Sequence, residues 1–96
     1  MELAKVKGQV VSTVRDQGLP NLTFLLVDIV DEHGTVTFPS QVAADTIGAG
    51  EGELVLLVRG SSARMILEGK TPLDLSVVGI VDQITSGKSA IYSKYK

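Results

Sequence analysis

The chain has 96 residues, with nine basic and eleven acidic side chains, one histidine and no cysteine. A formal charge of −2 without a basic stretch argues against a nucleic-acid footprint, and the missing cysteines exclude a disulfide framework and a thiolate metal site. Hydrophobic residues make up 44% of a chain long enough for one small domain, and this surplus points either to a buried subunit interface or to a tightly packed small barrel.

From Ala4 onward the period is two. Ala4, Val6, Gly8, Val10, Ser12 and Val14 alternate with Lys5, Lys7, Gln9, Thr13 and Arg15, which predicts a long, half-exposed first strand with Val11 as the one exception. Turn formers cluster from Asp16 to Asn21. Leu22 to Val30 is apolar on both faces and rich in β-formers, as expected of a central strand. Asp31-Glu32-His33-Gly34 supplies a turn, after which Thr35 to Phe38 begins a return strand that Pro39 interrupts. Gln41 to Ala44 then reads as a short strand leading into the loop Gly48-Ala49-Gly50-Glu51-Gly52.

Glu53 to Val58 and Asp74 to Ile84 are apolar runs that predict two buried strands. Between them Ser61 can cap a short helix containing Ser62, Ala63 and Arg64, which Gly69 and Pro72 end near Leu67. It is the one helix expected. Several short strands, close turns and one small helix predict an all-β fold, a small closed or nearly closed barrel. The barrel domain is assigned to residues 1–85. Residues 86–96 form a C-terminal tail with Ile91, Tyr92 and Tyr95 among polar residues. This tail is either a frayed terminus or an extended segment that adds to a neighbouring sheet edge, since leaving these side chains in water is unfavourable.

No catalytic constellation emerges. The single histidine, His33, sits between acidic and glycine residues in a turn and reads as solvated. The loop Gly48-Ala49-Gly50-Glu51-Gly52 has Glu53 where a dinucleotide fingerprint needs its third glycine, and a strand follows where that motif needs a helix. Gly69-Lys70-Thr71 and Gly87-Lys88-Ser89 have Arg64 and Asp82 where a phosphate-binding P-loop needs its first glycine. Asp45-Thr46-Ile47 lacks the glycine of an aspartic-protease motif. No metal set is evident either, so no catalytic residue, cofactor or metal is assigned. No run approaches about 18 consecutive apolar residues, and no apolar segment follows a basic start, so an unexported chain with no membrane partner is expected.

Asp45 to Arg64 joins the glycine loop, a short buried strand and the small-residue turn Gly60-Ser61-Ser62-Ala63-Arg64. Together with Ala4 to Val14, Leu25-Leu26-Val27, Val42-Ala43-Ala44-Asp45, Pro72-Leu73-Asp74 and Val77 to Asp82, this pattern resembles the EutN/CcmL family of bacterial microcompartment vertex proteins across roughly the whole domain. The resemblance implies an OB-like five-stranded barrel with one short helix and a C-terminal extended segment. It implies a structural, non-enzymatic homopentamer in the shell of a cytoplasmic compartment, a carboxysome or a metabolosome, with hexameric and trimeric shell proteins as partners.

On that reading Asp45, Gly48, Ala49, Gly50, Gly52, Glu53, Ser61, Ser62 and Arg64 belong to a subunit interface or axial loop. Arg64 would meet Asp45 or Glu53 across the joint. Ile91, Tyr92 and Tyr95 would pack on a neighbour. The competing reading of the loop is structural, with glycines serving tight turns and Arg64 pointing into solvent. Met65 to Lys70 departs from the family pattern, where more polar residues are common. The alternative function is that of an OB-fold module for single-stranded nucleic acid. That needs stacking aromatics in a basic groove, against which stand four aromatics, Phe24, Phe38, Tyr92 and Tyr95, and an acidic chain.

Overall fold

The first two strands make a long antiparallel ladder. In the computed structural model, which describes residues 1–11, 23–60 and 74–94, β1 (Glu2–Val10) pairs with β2 (Thr23–Val30) from Leu3↔Val30 to Val10↔Phe24. Alternation along β1 sends Ala4 and Val6 into the core and leaves Lys5 and Lys7 outside, as the period of two requires. Lys7 is the extra residue of a bulge between Val6 and Gly8.

Strand β3 (Val36–Asp45) pairs antiparallel with β2, which is therefore central as expected. β4 (Leu54–Arg59) pairs antiparallel with β1 and with β5 (Leu75–Ile80), and β5 runs parallel to β3 at Ala44↔Ser76 and Asp45↔Val77. The order β1-β2-β3-β5-β4 closes into a five-stranded barrel. Closure removes most free edges of the sheet. Val6, Val27, Val55, Leu57 and Val77 fill the interior with essentially no exposure. Fully burying each such side chain contributes about 1.5–3 kcal/mol.

Two expectations are corrected. Pro39 does not interrupt the return strand: β3 is continuous, with Pro39 and Ser40 opposite Asp28 as an irregularity between the pairs Val27↔Gln41 and Ile29↔Phe38. Ser40 takes a positive φ of 57° there, and its N–H donates to Asp28 Oδ1 at 2.9 Å, while Lys7 Nζ lies 3.2 Å from that same oxygen. The side chain of Asp28 thus supplies an acceptor where the ladder lapses. The run from Asp74 to Ile84 is not one strand. It breaks after Ile80, and Val81 turns its N–H to Leu54 O at 2.8 Å before β6 (Gln83–Ser86) starts.

The described part of the tail is not frayed but an extended strand, and the sheet edge it joins within this chain is that of β6. β7 (Ser89–Ser93) folds back on β6 as a hairpin whose turn holds Gly87 at φ 62°, a left-handed value that glycine tolerates without strain. A boundary after residue 85 consequently falls inside β6. The predicted helix, with Ser61, Ser62 and Arg64, and also Tyr95, lies outside the described residues. Among the described residues there is no helix.

Candidate functional site

Asp45 ends β3 as a buried residue, 7% exposed, and the chain then coils around its carboxylate. Oδ1 accepts the N–H groups of Ile47 and Gly48 at 3.1 Å each, and Oδ2 accepts that of Ala49 at 2.9 Å. Three successive donors on one carboxylate form a closed nest, and charge-assisted bonds of this kind are stronger than neutral ones. Gly48 and Gly52 adopt φ of 81° and 87°, so the tight turns fall at these two glycines. Gly50 keeps an ordinary φ.

The far side of the loop is organised by Glu53. Its Oε1 accepts the Gly50 N–H at 2.6 Å and its Oε2 lies 2.9 Å from Lys94 Nζ, the residue that follows β7. These two donors, Lys94 first, hold the Glu53 carboxyl below the usual carboxylate range. The backbone of the loop is tied to β1: Gly52 N–H donates to Val6 O at 2.8 Å, and Val6 N–H donates to Glu53 O at 2.9 Å.

This geometry decides against an anion cradle, because the amides of Ile47, Gly48, Ala49, Gly50 and Gly52 all already donate within the chain. It also gives both carboxylates considered for Arg64 partners within their own chain. Sequence reasoning missed Lys94 altogether, since nothing local in the sequence marks it as the partner of Glu53.

Ile91 and Tyr92 of β7 do come near the loop. With Lys5, Glu32, His33, Gly34, Gly52 and Leu54 they line a cleft of about 330 Å³ between barrel and hairpin. His33 sits in the predicted turn, where Asp31 Oδ1 accepts the N–H groups of His33 and Thr35 at 2.9 Å each. The Thr35 amide is the main cause of a lowered Asp31 pKa. At one barrel end Arg59 donates to both oxygens of Glu2 and reaches Asp74 Oδ2 at 3.5 Å, linking β4 to the start of β1 and the entry to β5. Among the described residues no group of three or more metal-ligating side chains is brought together. Nor is any helix among them long and apolar enough to cross a membrane.

The family model described as ethanolamine utilisation protein EutN/carboxysome matches residues 1–82, the whole barrel. The chain belongs to the EutN/CcmL family. Within that family it is 50% identical over 95 residues to the bacterial microcompartment shell vertex protein EutN of Escherichia coli K12, covering 98% of this chain and 100% of that protein. The crystal structure of Escherichia coli EutN superposes with a TM-score of 0.88 at 49% identity, covering 98% and 99% of the two chains.

CcmL of Nostoc gives a TM-score of 0.89 at 46% identity, with 98% and 100% covered. GrpN of Rhodospirillum rubrum, a pentameric microcompartment shell protein, gives 0.80 at 40% identity, with 91% and 100% covered. The EutN/CcmL barrel is thus present with its OB-like closure, and the nucleic-acid alternative finds no support. Phe24, which that alternative would need for stacking, is buried.

Proposed function

We propose that this chain is a structural subunit of a bacterial microcompartment shell, a homopentamer that closes the vertices of the shell and catalyses nothing. The observation that carries this reading is identity of 50% along the full length of a protein named for that role. Its place would be the cytoplasm, within the shell, beside hexameric and trimeric shell proteins. The mechanism is geometric. A cyclic head-to-tail contact fixes the rotation between neighbouring subunits, and a ring of five introduces curvature that a flat hexagonal lattice lacks.

The loop from Asp45 to Glu53, the turn with Ser61, Ser62 and Arg64, and the tail with Ile91, Tyr92 and Tyr95 are the parts we assign to the joints or the axial opening. Internal bonding of the loop supports this: with the amides of Ile47, Gly48, Ala49, Gly50 and Gly52 bonded within the chain the loop is held in one shape, and a loop so held can set an angle between subunits.

Native mass spectrometry tests the ring and should show a species of five times the 10.1 kDa chain mass. A monomer at micromolar concentration would overturn it, and a hexamer would overturn the vertex role. In cells building the shell, loss of this chain should give elongated or leaky compartments while the enclosed enzymes stay active in lysed extracts. Loss of enzyme activity in such extracts would point to a chemical role instead.

A further inference from the structure

The glycine loop is held in two halves by two different devices. Ile47, Gly48 and Ala49 donate to the buried Asp45, no more than four residues away, so that half is closed on itself. The other half is a short turn in which Glu53 N–H donates to Gly50 O at 3.1 Å, and the Glu53 side chain reaches back across it to accept the Gly50 N–H at 2.6 Å. A Cβ added at Gly50 would stand 3.3 Å from Glu53 Oε1, so the Gly50 backbone and the carboxylate are packed together as well as bonded. Where that carboxylate sits decides where the Gly50 amide points.

The position of the carboxylate is not set locally. Leu54 O, one residue after Glu53, accepts the Val81 N–H at 2.8 Å, Asp82 O accepts the Lys94 N–H at 2.8 Å, and Lys94 Nζ returns to Glu53 Oε2 at 2.9 Å. With the peptide links from Glu53 to Leu54 and from Val81 to Asp82, these contacts make a closed circuit. The whole hairpin, β6 and β7, lies between Asp82 and Lys94. The backbone bond between those two residues therefore fixes the base of the hairpin and delivers the ammonium to Glu53, which lowers the ordering cost of the ion pair. Lys94 is also the first cause of the lowered Glu53 pKa, ahead of the Gly50 amide.

We infer that Lys94 is a positioning residue for the glycine loop: through Glu53 it sets the Gly50 half of the loop from the base of the C-terminal hairpin, and it leaves the Asp45 half untouched. The carboxylate serves the two with separate oxygens, Oε1 for Gly50 and Oε2 for Lys94, so a shift of the hairpin base turns the carboxylate and carries the Gly50 amide with it. This coupling lies within one chain and goes beyond the ring proposed above without depending on it. In such a ring it would pass a change at the hairpin on to the loop.

Amide-resolved NMR of the full chain tests the coupling with Lys94→Met, which keeps most of the side-chain stem and removes the charge, and with Lys94→Arg, which keeps the charge. The barrel closes without residue 94, so both variants should retain the fold. In Lys94→Met the Gly50 amide resonance should move and its protection against exchange should fall by about two- to fivefold, the range that a partly exposed ion pair supports, while the amides of Ile47, Gly48 and Ala49 keep theirs. Lys94→Arg should restore Gly50.

A lysine that merely stabilised the fold would lower protection at all four amides together, and that result would overturn the inference. So would a Gly50 amide unmoved in Lys94→Met. Native mass spectrometry of the same samples reports the ring separately: a monomeric unsubstituted chain whose Gly50 amide still answers to Lys94→Met would overturn the ring and leave the coupling standing.

Discussion

Oε2 of Glu53 lies 2.9 Å from Nζ of Lys94, so the residue that closes the glycine loop also holds the end of the C-terminal hairpin. Lys94 adds a backbone bond from its N–H to Asp82 O at 2.8 Å, and Glu53 O accepts from Val6 on β1. Loop, first strand and hairpin are thereby one connected network.

Acid should loosen that network. The Glu53 pKa is lowered, by Lys94 first and the Gly50 amide second, so its stabilising effect is complete above the ordinary unfolded value of about 4.3 and is lost as pH falls through the lower folded value. Asp28 and Asp31 are lowered as well, chiefly by the amides of Ser40 and Thr35, and act in the same direction. The protection of amides in β6 and β7, relative to their intrinsic exchange at the same pH, is expected to fall on acidification below about pH 4, more than that of amides in β4. Glu53→Gln should show the lower hairpin protection already at neutral pH. Equal acid responses of hairpin and β4 would remove Glu53 as the cause.

Asp45→Ala should be among the most damaging single changes in the described part of the chain. It deletes the acceptor for three loop amides, one of them buried at Ala49, and an expected loss of about 2–4 kcal/mol follows from stranded donors. Urea denaturation would measure it. Asp45→Asn should fall in between, because one amide oxygen remains while its NH2 group faces donors.

The three loop glycines should respond differently. Gly48→Ala and Gly52→Ala place a Cβ at φ of 81° and 87°, an expected loss of about 1–2 kcal/mol each. At Gly50 the backbone is ordinary, and an added Cβ meets only Glu53 Oε1 at 3.3 Å, the movable end of a side chain. Gly50→Ala should therefore be milder in thermal melts, and a ranking with Gly50 most sensitive would contradict this account.

Ser76→Ala should be neutral or stabilising. Ser76 is fully buried between Leu75 and Val77, and its Oγ has no hydrogen-bond partner. Burying an unpaired hydroxyl costs about 1–3 kcal/mol, most of which alanine avoids. A melting temperature lowered by several degrees would show that the hydroxyl is satisfied after all.

Removal of the chain from Ser89 onward deletes β7 with Ile91, Tyr92 and Lys94 and leaves β6 unpaired. The barrel does not depend on β7 for closure. The truncated protein is expected to retain its β-sheet signal and to lose ring mass in native spectrometry; an unchanged ring would show that the hairpin takes no part in assembly.

The sequence by itself determined which residues enter the barrel. Alternation puts Ala4 and Val6 inside with Lys5 and Lys7 outside, and the run from Leu54 to Val58 is buried or half-buried, because burial on a strand follows a local period of two. Its turns were equally legible at Asp31 to Gly34 and at the glycine loop. Only the tertiary structure decided what the polar groups do. Pro39 sits inside a continuous β3 because Asp28, on the neighbouring strand, accepts the amide of Ser40. The tail folds onto β6 because the chain breaks at Val81 and Asp82, where bonds to Leu54 and Lys94 replace the ladder. Asp45 and Glu53 bond their own loop and Lys94. A carboxylate or a strand edge takes the donor that folding brings to it, and for Glu53 and Lys94 that donor comes from a distant part of the chain.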